Sequence, residues 1–368
     1  MKVSILQTHL LSTLTRVGKI ISSKAQLPIL QNFLLEAKEG SFTVTGTNTE
    51  TSIVSRSNAK IEKEGGLCVP AKLLIEFITS LPEGVVEMSS KEGALEIISN
   101  GFEATIPGVS KEEFPPLPKH DKIKGAEIPR EKFLRALEPV LFAAATDEGR
   151  PILTGIKIQK VDKEALFVAT DGYRLSLKRV DLNMEENINI TIPARTLTEV
   201  VHIGLEDEDN KTITLKTIDA SQLGFFFRET EIYTRILDGE YPNFEKILPK
   251  KHTTKIILDK EKFLQAVKST SIFARGNANI IRFIIAEGDM IISANTPQVG
   301  QNRVVLEGEV EGERGEIAFN SRFVLDFLSH FQEEKLQFEM TGSLNPGVFR
   351  STTDDSYLHI IMPVRTSG

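Results

Sequence analysis

The chain contains a single cysteine and no long apolar run. Cys68 alone excludes a framework of internal disulfides and fits a reducing compartment. Its apolar neighbours, Leu67 and Val69, favour a buried small side chain over a nucleophile. No apolar run approaches the roughly 18 residues of a membrane span. The N-terminal segment, interrupted by Gln7 and His9, is a poor signal peptide. We therefore expect a cytoplasmic protein.

The sequence also lacks the linear motifs of common enzymes. It has no Walker A loop and no GxGxxG, HExxH or GxSxG pattern. Its six histidines are scattered, without metal-ligand spacing. The acidic run at residues 207–209 lacks the glycine and terminal glutamate of a calcium loop. Asp171 precedes Gly172, a pair that favours a turn over a catalytic acid. We expect no catalytic site, no metal and no cofactor.

What the sequence does contain is a threefold repeat. The segment Ala169–Leu175, ATDGYRL, lies between an apolar run and an alternating one, which predicts strand, tight turn and strand. Similar segments occur at Phe42–Glu50 and Met290–Gln298. The central hairpin is therefore one of three.

Two helices recur with each hairpin. Apolar residues at i, i+1 and i+4 place one face of the first helix against a core. The second helix starts where a strand ends, at a proline that presets φ or at an asparagine suited to an N-cap. The marking residues are Leu10, Phe133 and Phe263 for the first helix, and Pro70, Pro193 and Asn320 for the second.

Each repeat thus runs β-α-β-hairpin-β-α-β-meander over about 120 residues. Hairpins imply antiparallel pairing. We predict an α+β protein of three tandem similar domains, at residues 1–124, 125–252 and 253–368, each with two helices and antiparallel sheets.

Charge is divided unequally between helices and the rest of the chain. The predicted helices are residues 9–24, 71–80, 130–145, 194–203, 260–275 and 321–331. They carry a formal charge of +7, which leaves −14 elsewhere for the net of −7. An ordinary solvent-exposed face would explain the basic residues of any one helix. The pattern over six helices indicates a basic helical surface that faces phosphates.

Over its whole length the chain resembles the bacterial β sliding clamps, the processivity subunits of replicative DNA polymerase. The motifs that carry the resemblance are Leu27–Asn32, Thr45–Asn48, Val69–Lys72, Ala169–Leu175, Leu237–Pro242, Phe319-Asn320 and Met362–Arg365. The resemblance implies the DNA clamp fold, with each chain forming half of a six-domain ring. Two chains would close head to tail, with helices lining the hole and no catalytic activity.

The resemblance also implies partners. They are double-stranded DNA bound without sequence readout, and the replicative polymerase, clamp loader, repair polymerases and ligase-type proteins at the replication fork. These proteins would insert a short Gln-Leu-x-Leu-Phe-like motif into a groove. The family's groove residues carry over onto Leu153, Thr170, Gly172, Arg174, Leu175, Pro242, Ile247, Ile360, Met362, Pro363 and Arg365. Tyr173 and Lys246 stand at groove positions that vary in the family.

Further sites follow from the same resemblance. Lys24 and Arg195 match basic DNA-contacting positions. Arg150 stands where other members use polar or aromatic residues, and we expect it to face DNA as well. Across the dimer junction we expect Phe77 and Phe102 to meet Ile272 and Phe273. The alternative is that Phe77 and Phe102 are plain core residues.

Two other functions compete with a ring-shaped DNA tether. One is an enzyme on a repeated α+β scaffold, such as a nuclease or hydrolase, whose site the linear sequence hides. The other is an interaction scaffold that binds peptides but not DNA.

Overall fold

The computed structural model describes residues 1–22, 25, 27–38, 40–118, 123–147, 149–182, 184, 188–297 and 299–365. Within them the chain forms six α-helices and 26 strands. Lys24, predicted to contact DNA, lies outside the described residues. No helix among the described residues is long and apolar enough to cross a membrane.

The three repeats follow one order of elements. The first comprises β1 (Lys2–Leu6), α1 (Gln7–Gly18), β2 (Asn32–Lys38), β3 (Ser41–Thr47), β4 (Thr51–Ser57), β5 (Lys60–Lys63), β6 (Gly65–Pro70), α2 (Ala71–Ser80), β7 (Val85–Lys91), β8 (Ala94–Ser99) and β9 (Phe102–Pro107). The second comprises β10 (Ala126–Pro129), α3 (Arg130–Leu141), β11 (Gly155–Val161), β12 (Glu164–Thr170), β13 (Arg174–Asp181), β14 (Asn189–Pro193), α4 (Ala194–Glu206), β15 (Thr212–Asp219), β16 (Gln222–Phe226) and β17 (Thr230–Arg235).

The third repeat comprises β18 (Thr254–Asp259), α5 (Lys260–Ala274), β19 (Ile280–Ala286), β20 (Asp289–Thr296), β21 (Gly300–Glu307), β22 (Glu309–Gly312), β23 (Gly315–Asn320), α6 (Ser321–His330), β24 (Lys335–Met340), β25 (Gly347–Ser351) and β26 (Tyr357–Ile361). The predicted repeat of two helices and antiparallel strands is confirmed.

The chain folds into two compact units, and their division runs through the second repeat. Unit 1 is Met1–Glu131 with Arg195–Ile236, and unit 2 is Lys132–Ala194 with Leu237–Gly368. Unit 1 has a five-stranded sheet, β5-β1-β7-β8-β9, and an eight-stranded sheet, β10-β15-β16-β17-β4-β3-β2-β6. Unit 2 has a nine-stranded sheet, β14-β11-β12-β13-β26-β25-β24-β18-β22, and a four-stranded sheet, β21-β20-β19-β23.

Each large sheet joins two repeats in the same way. The last meander strand of one repeat pairs with the second hairpin strand of the repeat before it. In unit 1 this junction is β17 against β4, and in unit 2 it is β26 against β13. We call them the first and second junctions. Each makes one continuous sheet across two repeats.

Helices pack on the sheet faces and close the cores. In the third repeat the core is built around aromatic rings, all fully buried. Phe283 makes edge-to-face contacts with Phe319 and Phe338 at centroid distances of 5.3 and 5.9 Å, a favoured arrangement of ring quadrupoles. In the first repeat Cys68 is buried beside Leu34 and Phe114, as predicted. Burial raises the pKa of its thiol to about 12.

The helix ends differ from the prediction. The first helix ends at Gly18, a residue of low helix propensity, so Lys19 lies outside it. The fourth continues to Glu206 and gains that carboxylate. The observed helices carry +1 in α1, +1 in α3, −1 in α4 and +2 in α5, with α2 and α6 neutral, for a total of +3. The predicted segregation of charge is therefore weaker than the sequence suggested, with −10 on the remainder.

Candidate functional site

The turn between β12 and β13 is fixed by two short side chains. The Thr170 hydroxyl accepts a hydrogen bond from the Gly172 amide at 3.0 Å and donates to the Arg174 carbonyl at 2.6 Å. Asp171 Oδ1 accepts from the amides of Tyr173 and Arg174 at 2.9 and 3.0 Å. The predicted turn role of Asp171 thus matches its contacts.

Gly172 has two reasons to be glycine. Its φ of 91° lies in the left-handed region. A Cβ there would also lie 2.6 Å from Arg150 Nη2. That guanidinium donates to the Asp171 carbonyl at 2.9 Å. Arg150, predicted to face DNA, therefore also supports the hairpin turn.

Arg174 connects this turn to helix α6 and to the segment after α3. Its guanidinium donates to Asp171 Oδ2 at 3.0 Å, to Asp326 Oδ2 at 2.7 Å and to the Phe142 carbonyl at 2.9 Å. It lies over the rings of Phe142 and Phe323, 5.4 and 5.0 Å from their centroids. Charge-assisted bonds and cation–π contacts together hold the turn in one position.

The C-terminal strand forms the neighbouring wall. In the β13–β26 pairing Leu175 lies opposite Ile360. Beyond the strand, the Met362 amide donates to the Tyr173 carbonyl at 2.8 Å. The side chains of Tyr173 and Met362 are 62% and 37% exposed. Two apolar side chains thus stand exposed above a buried strand pair.

An apolar floor lies under this rim. One cluster joins β12, β13, β25 and β26 with Phe244, from the segment after β17. Tyr241 packs against it and donates its hydroxyl to the Val168 carbonyl at 3.2 Å. Burial raises the pKa of Tyr241 above its usual range. The buried members are Leu166, Val168, Leu175, Leu177, Phe244, Val348, Leu358 and Ile360.

The structure brings most of the predicted groove residues to this one region. Thr170, Gly172, Tyr173, Arg174, Leu175, Ile360 and Met362 meet at the end of the β13–β26 pair, and Pro363 and Arg365 follow directly. Pro242, Lys246 and Ile247 are exposed on the segment that contributes Tyr241 and Phe244 to the floor. Leu153 is buried, in the short 3-10 turn Pro151–Thr154 before β11.

Sequence reasoning missed Phe323 and Tyr241 in this region. The Tyr173 and Phe323 rings stack, with centroids 6.1 Å apart and planes 16° apart. Phe323 lies in the first turn of α6, three residues after Asn320. The available signal was an aromatic residue in the first turn after a predicted cap.

The other predicted residues lie elsewhere. Arg195 is exposed in the first turn of α4. Phe102 on β9 and Ile272 on α5 are 48% and 51% exposed, while Phe77 and Phe273 are half-buried. Phe102 is thus not a core residue, in contrast to the alternative considered for it. In the described part of the chain no group of three or more acidic, histidine or cysteine residues is arranged to hold a metal.

Comparison with known proteins identifies the family. Models of the N-terminal, central and C-terminal domains of the DNA polymerase III beta subunit match residues 1–118, 127–243 and 245–365. The chain is 30% identical over 380 residues to the beta sliding clamp of Bacillus subtilis, with 100% of both proteins covered. Crystal structures of the Bacillus subtilis clamp and the Thermotoga maritima beta subunit match with TM-scores of 0.93, at 28% and 27% identity, over 100% of each chain. The chain therefore belongs to the beta sliding clamp family of DNA polymerase III, the non-catalytic processivity factors of bacterial DNA replication.

Proposed function

We propose that two copies of this chain close head to tail into a ring around duplex DNA, and that the groove beside Met362 tethers proteins of the replication fork to it. Family membership implies DNA and polymerase as partners. The dimer, the ring and the groove are the parts proposed here, in a cytoplasmic protein at the nucleoid.

Support for the dimer comes from two unpaired strand edges. At both junctions a last meander strand pairs with a second hairpin strand. Within the described residues, the one strand of each kind left without such a partner is β9 in the first repeat and β21 in the third, and each lies at the edge of its sheet. An exposed edge presents a row of free N–H and C=O groups. Pairing β9 of one copy with β21 of another repeats the same junction a third time.

We take the register of the third junction from the first. The two known junctions pair Thr234 with Thr51, and Ile361, the last residue of β26, with Arg174. Thr51 and Arg174 are the first residues of β4 and β13, as Gly300 is of β21. Ile106 of β9 corresponds to Thr234, one residue before the strand end. Antiparallel pairing of Ile106 with Gly300 places Glu103 opposite Arg303.

The side chains along these two strands suit such an interface. Phe102 and Val305 are 48% and 44% exposed, although both are apolar. In the proposed register Phe102 lies opposite Val304, on the helix side, where Phe77 and Phe273 are half-buried. Burying this apolar surface and pairing Glu103 with Arg303 both favour association.

The groove suits a short apolar motif. Its floor is the Leu175–Ile360 strand pair and the surrounding apolar cluster, and its rim includes the exposed side chains of Tyr173, Ile247 and Met362. Burying the leucine and phenylalanine of a Gln-Leu-x-Leu-Phe motif yields about 1.5–3 kcal/mol each. After ordering costs, this corresponds to roughly micromolar affinity. Polymerase, clamp loader, repair polymerases and ligase-type proteins can then exchange on one site.

The observation that carries this assignment is the exposed Met362 beside the buried Leu175–Ile360 pair. The test is fluorescence anisotropy of a labelled Gln-Leu-x-Leu-Phe peptide with wild type, Met362→Ala and Leu205→Ala, the last a truncation of an exposed apolar residue on α4. We expect micromolar binding that Met362→Ala weakens at least about tenfold, with Leu205→Ala unchanged. Equal binding by wild type and Met362→Ala would exclude the groove.

A further inference from the structure

The turn between β8 and β9 contains the one Asn-Gly sequence of the chain, Asn100-Gly101. These two residues form the whole loop of the hairpin, since Ser99 pairs with Phe102. The φ angle is 46° at Asn100 and 82° at Gly101. A two-residue hairpin loop with positive φ at both positions is a type I′ turn, which favours Asn-Gly. Both residues are exposed.

The surroundings of this turn are open. The Asn100 carboxamide donates from Nδ2 to the Glu83 carbonyl at 3.2 Å, in an exposed hydrogen bond. Such a bond contributes little net free energy, because water replaces it readily. A Cβ placed on Gly101 would meet no atom within 4 Å. The carboxamide can therefore leave Glu83 and turn toward the Gly101 nitrogen, and water reaches the loop.

The chemistry of an exposed Asn-Gly pair is well defined. The backbone nitrogen of the second residue attacks the side-chain carbonyl carbon of the first, and glycine has no side chain to obstruct this approach. At this turn a bond forms between the Gly101 nitrogen and Asn100 Cγ, and the bond from Cγ to Nδ2 breaks. Ammonia leaves with the proton of the Gly101 amide, and a cyclic imide remains. Water then opens the ring at either carbonyl, giving aspartate or isoaspartate without any change of oxidation state.

The position of this turn in the repeat gives the reaction a consequence. The corresponding connections are residues 227–229 between β16 and β17, and residues 352–356 between β25 and β26. Neither contains Asn-Gly. Their last strands, β17 and β26, pair with another repeat of the same chain, whereas β9 lies at the edge of its sheet. The Asn-Gly turn thus directly precedes the strand that is proposed to join two copies.

We propose that Asn100 deamidates spontaneously, and that the products weaken the contact between β9 and β21 of neighbouring copies. The first part depends on this chain alone, and the second rests on the proposed function. In the proposed register the paired residues of β9 end with Phe102 opposite Val304. The turn lies just beyond this pair, so it stays open to water in the dimer.

Both products change the end of the proposed junction. A carboxylate replaces the carboxamide and cannot donate to the Glu83 carbonyl. Its negative charge lies beside the rest of β21, where Val305 is apolar and Glu307 is acidic. Isoaspartate also adds one main-chain carbon to a loop whose length sets the register of the hairpin. Phe102 follows this loop directly and is displaced with it.

Mass spectrometry of aged protein tests the modification. Purified wild type is incubated in mildly alkaline buffer, where the Gly101 nitrogen loses its proton more readily, and is then digested. We expect the peptide that contains Asn100 to convert to two acidic products. Asn277, which is exposed and followed by Ala278, is the control in the same digest and should convert far less. Conversion at Asn100 no greater than at Asn277 would overturn the inference.

Sedimentation equilibrium of fresh and aged protein tests the effect on the dimer. After full conversion, the dissociation constant of wild type should rise roughly tenfold. Asn100→Gly gives a Gly-Gly loop, which also suits a type I′ turn and has no amide to lose, so its constant should not change with age. An unchanged constant in converted wild type, or an equal rise in Asn100→Gly, would refute the effect on the dimer. A fresh wild type that is monomeric would refute the proposed dimer and this effect together, whereas the peptide masses would still decide the deamidation.

Discussion

At the scale of single residues, Arg174 connects the sheet to the helix layer. Its backbone pairs with Ile361 in the sheet, while its guanidinium reaches Asp326 on α6 and the Phe142 carbonyl after α3. Its neighbour Tyr173 stacks on Phe323. A shift of the groove wall therefore requires breaking contacts to the helix layer. If the proposed groove binds a peptide, a wall held in this way reduces the ordering cost of binding.

His359 is a second residue whose chemistry depends on its surroundings. It is fully buried in β26, with Nδ1 at 2.7 Å from Ser176 Oγ and its ring stacked on Phe327 at 5.0 Å. Its Nε2 has no hydrogen-bond partner within the described residues. Burial, with the charges of Arg174 and His330 nearby, holds the pKa of His359 well below its ordinary value of 6.5.

This lowered pKa predicts a loss of stability in acid. As pH falls through 6.5 the unfolded chain takes up a proton at His359, whereas the folded chain does not. Stability is thus retained above pH 6.5 and lost below it. Between pH 7.5 and 5.5 we expect wild type to lose about 1.4 kcal/mol more unfolding free energy than His359→Gln. Urea denaturation at both pH values measures the difference. Replacing the exposed His9 with glutamine is the control, and it should follow wild type. Parallel losses in wild type and His359→Gln would contradict the prediction.

The histidines also mark a limit of sequence reasoning. They are scattered along the chain, and the absence of ligand spacing predicted no shared site. In the fold, His330 and His359 both lie against Phe142, at centroid distances of 4.4 and 5.2 Å. Three residues from two repeats meet there because β26 pairs with β13. Periodicity reports local structure and not which strand lies beside which, so this cluster was not predictable.

At the scale of elements, the sequence predicted those features that depend on neighbouring residues, such as helix bounds, caps and turns. Helix α2 occupies the predicted residues 71–80, and Asn320 caps α6 by accepting from the Arg322 amide. The hairpin at Ala169–Leu175 forms as its Asp-Gly pair indicated. Short strands β5 and β22 were not predicted, because four residues carry too little periodicity. The pairing of strands between repeats was not predicted, because periodicity does not report which strands are neighbours.

The two junctions also explain where a groove can form. At the first junction Ser52, Glu231 and Tyr233 occupy the positions that Leu175, Leu358 and Ile360 hold at the second. Glu231 accepts from Arg56 and from the Tyr233 hydroxyl, both at 2.5 Å. A paired carboxylate replaces the apolar floor, and a motif rich in leucine and phenylalanine has little to bury there. The same strand pairing thus carries an apolar floor for the proposed groove at one junction and a paired carboxylate at the other.

The third junction gives the prediction that belongs to this scale. Reversing one charge, by Glu103→Arg or Arg303→Glu, would place like charges opposite each other on β9 and β21 of neighbouring copies. A head-to-tail dimer has two such junctions. If each junction loses about 1 kcal/mol of association free energy, the dissociation constant of the dimer should rise roughly thirtyfold. Sedimentation equilibrium measures it.

The double reversal is the critical control for this register. Glu103→Arg with Arg303→Glu restores opposite charges, so the dimer should return to near wild-type strength. A double variant as weak as the single ones would show that these residues do not face each other. A wild-type chain that stays monomeric at all concentrations would exclude the dimer itself.

At the scale of the whole molecule, the modest charge of the helices fits a closed ring around DNA better than a protein held by many phosphate contacts. The chain carries −7 overall, and its helices carry only +3. A protein held on DNA by many phosphate contacts is strongly salt-sensitive. A closed ring needs few such contacts, since the duplex cannot leave it sideways. The weaker charge segregation in the structure therefore agrees with the proposed ring.

Topology and electrostatics make opposite predictions about salt. The protein is incubated with a linear duplex biotinylated at both ends, and streptavidin is then added to block the ends. A threaded ring should remain on this DNA through a wash at high salt, where attraction to phosphates is screened. Cutting the duplex once with a restriction enzyme should release the protein, because the ring slides off the new end.

Glu103→Arg, with its weakened dimer, is the control, and it should be washed off before cutting. If wild type is lost in the salt wash, the chain does not encircle DNA, and a scaffold that binds only peptides becomes the better explanation. If wild type stays after cutting, contacts rather than closure hold it.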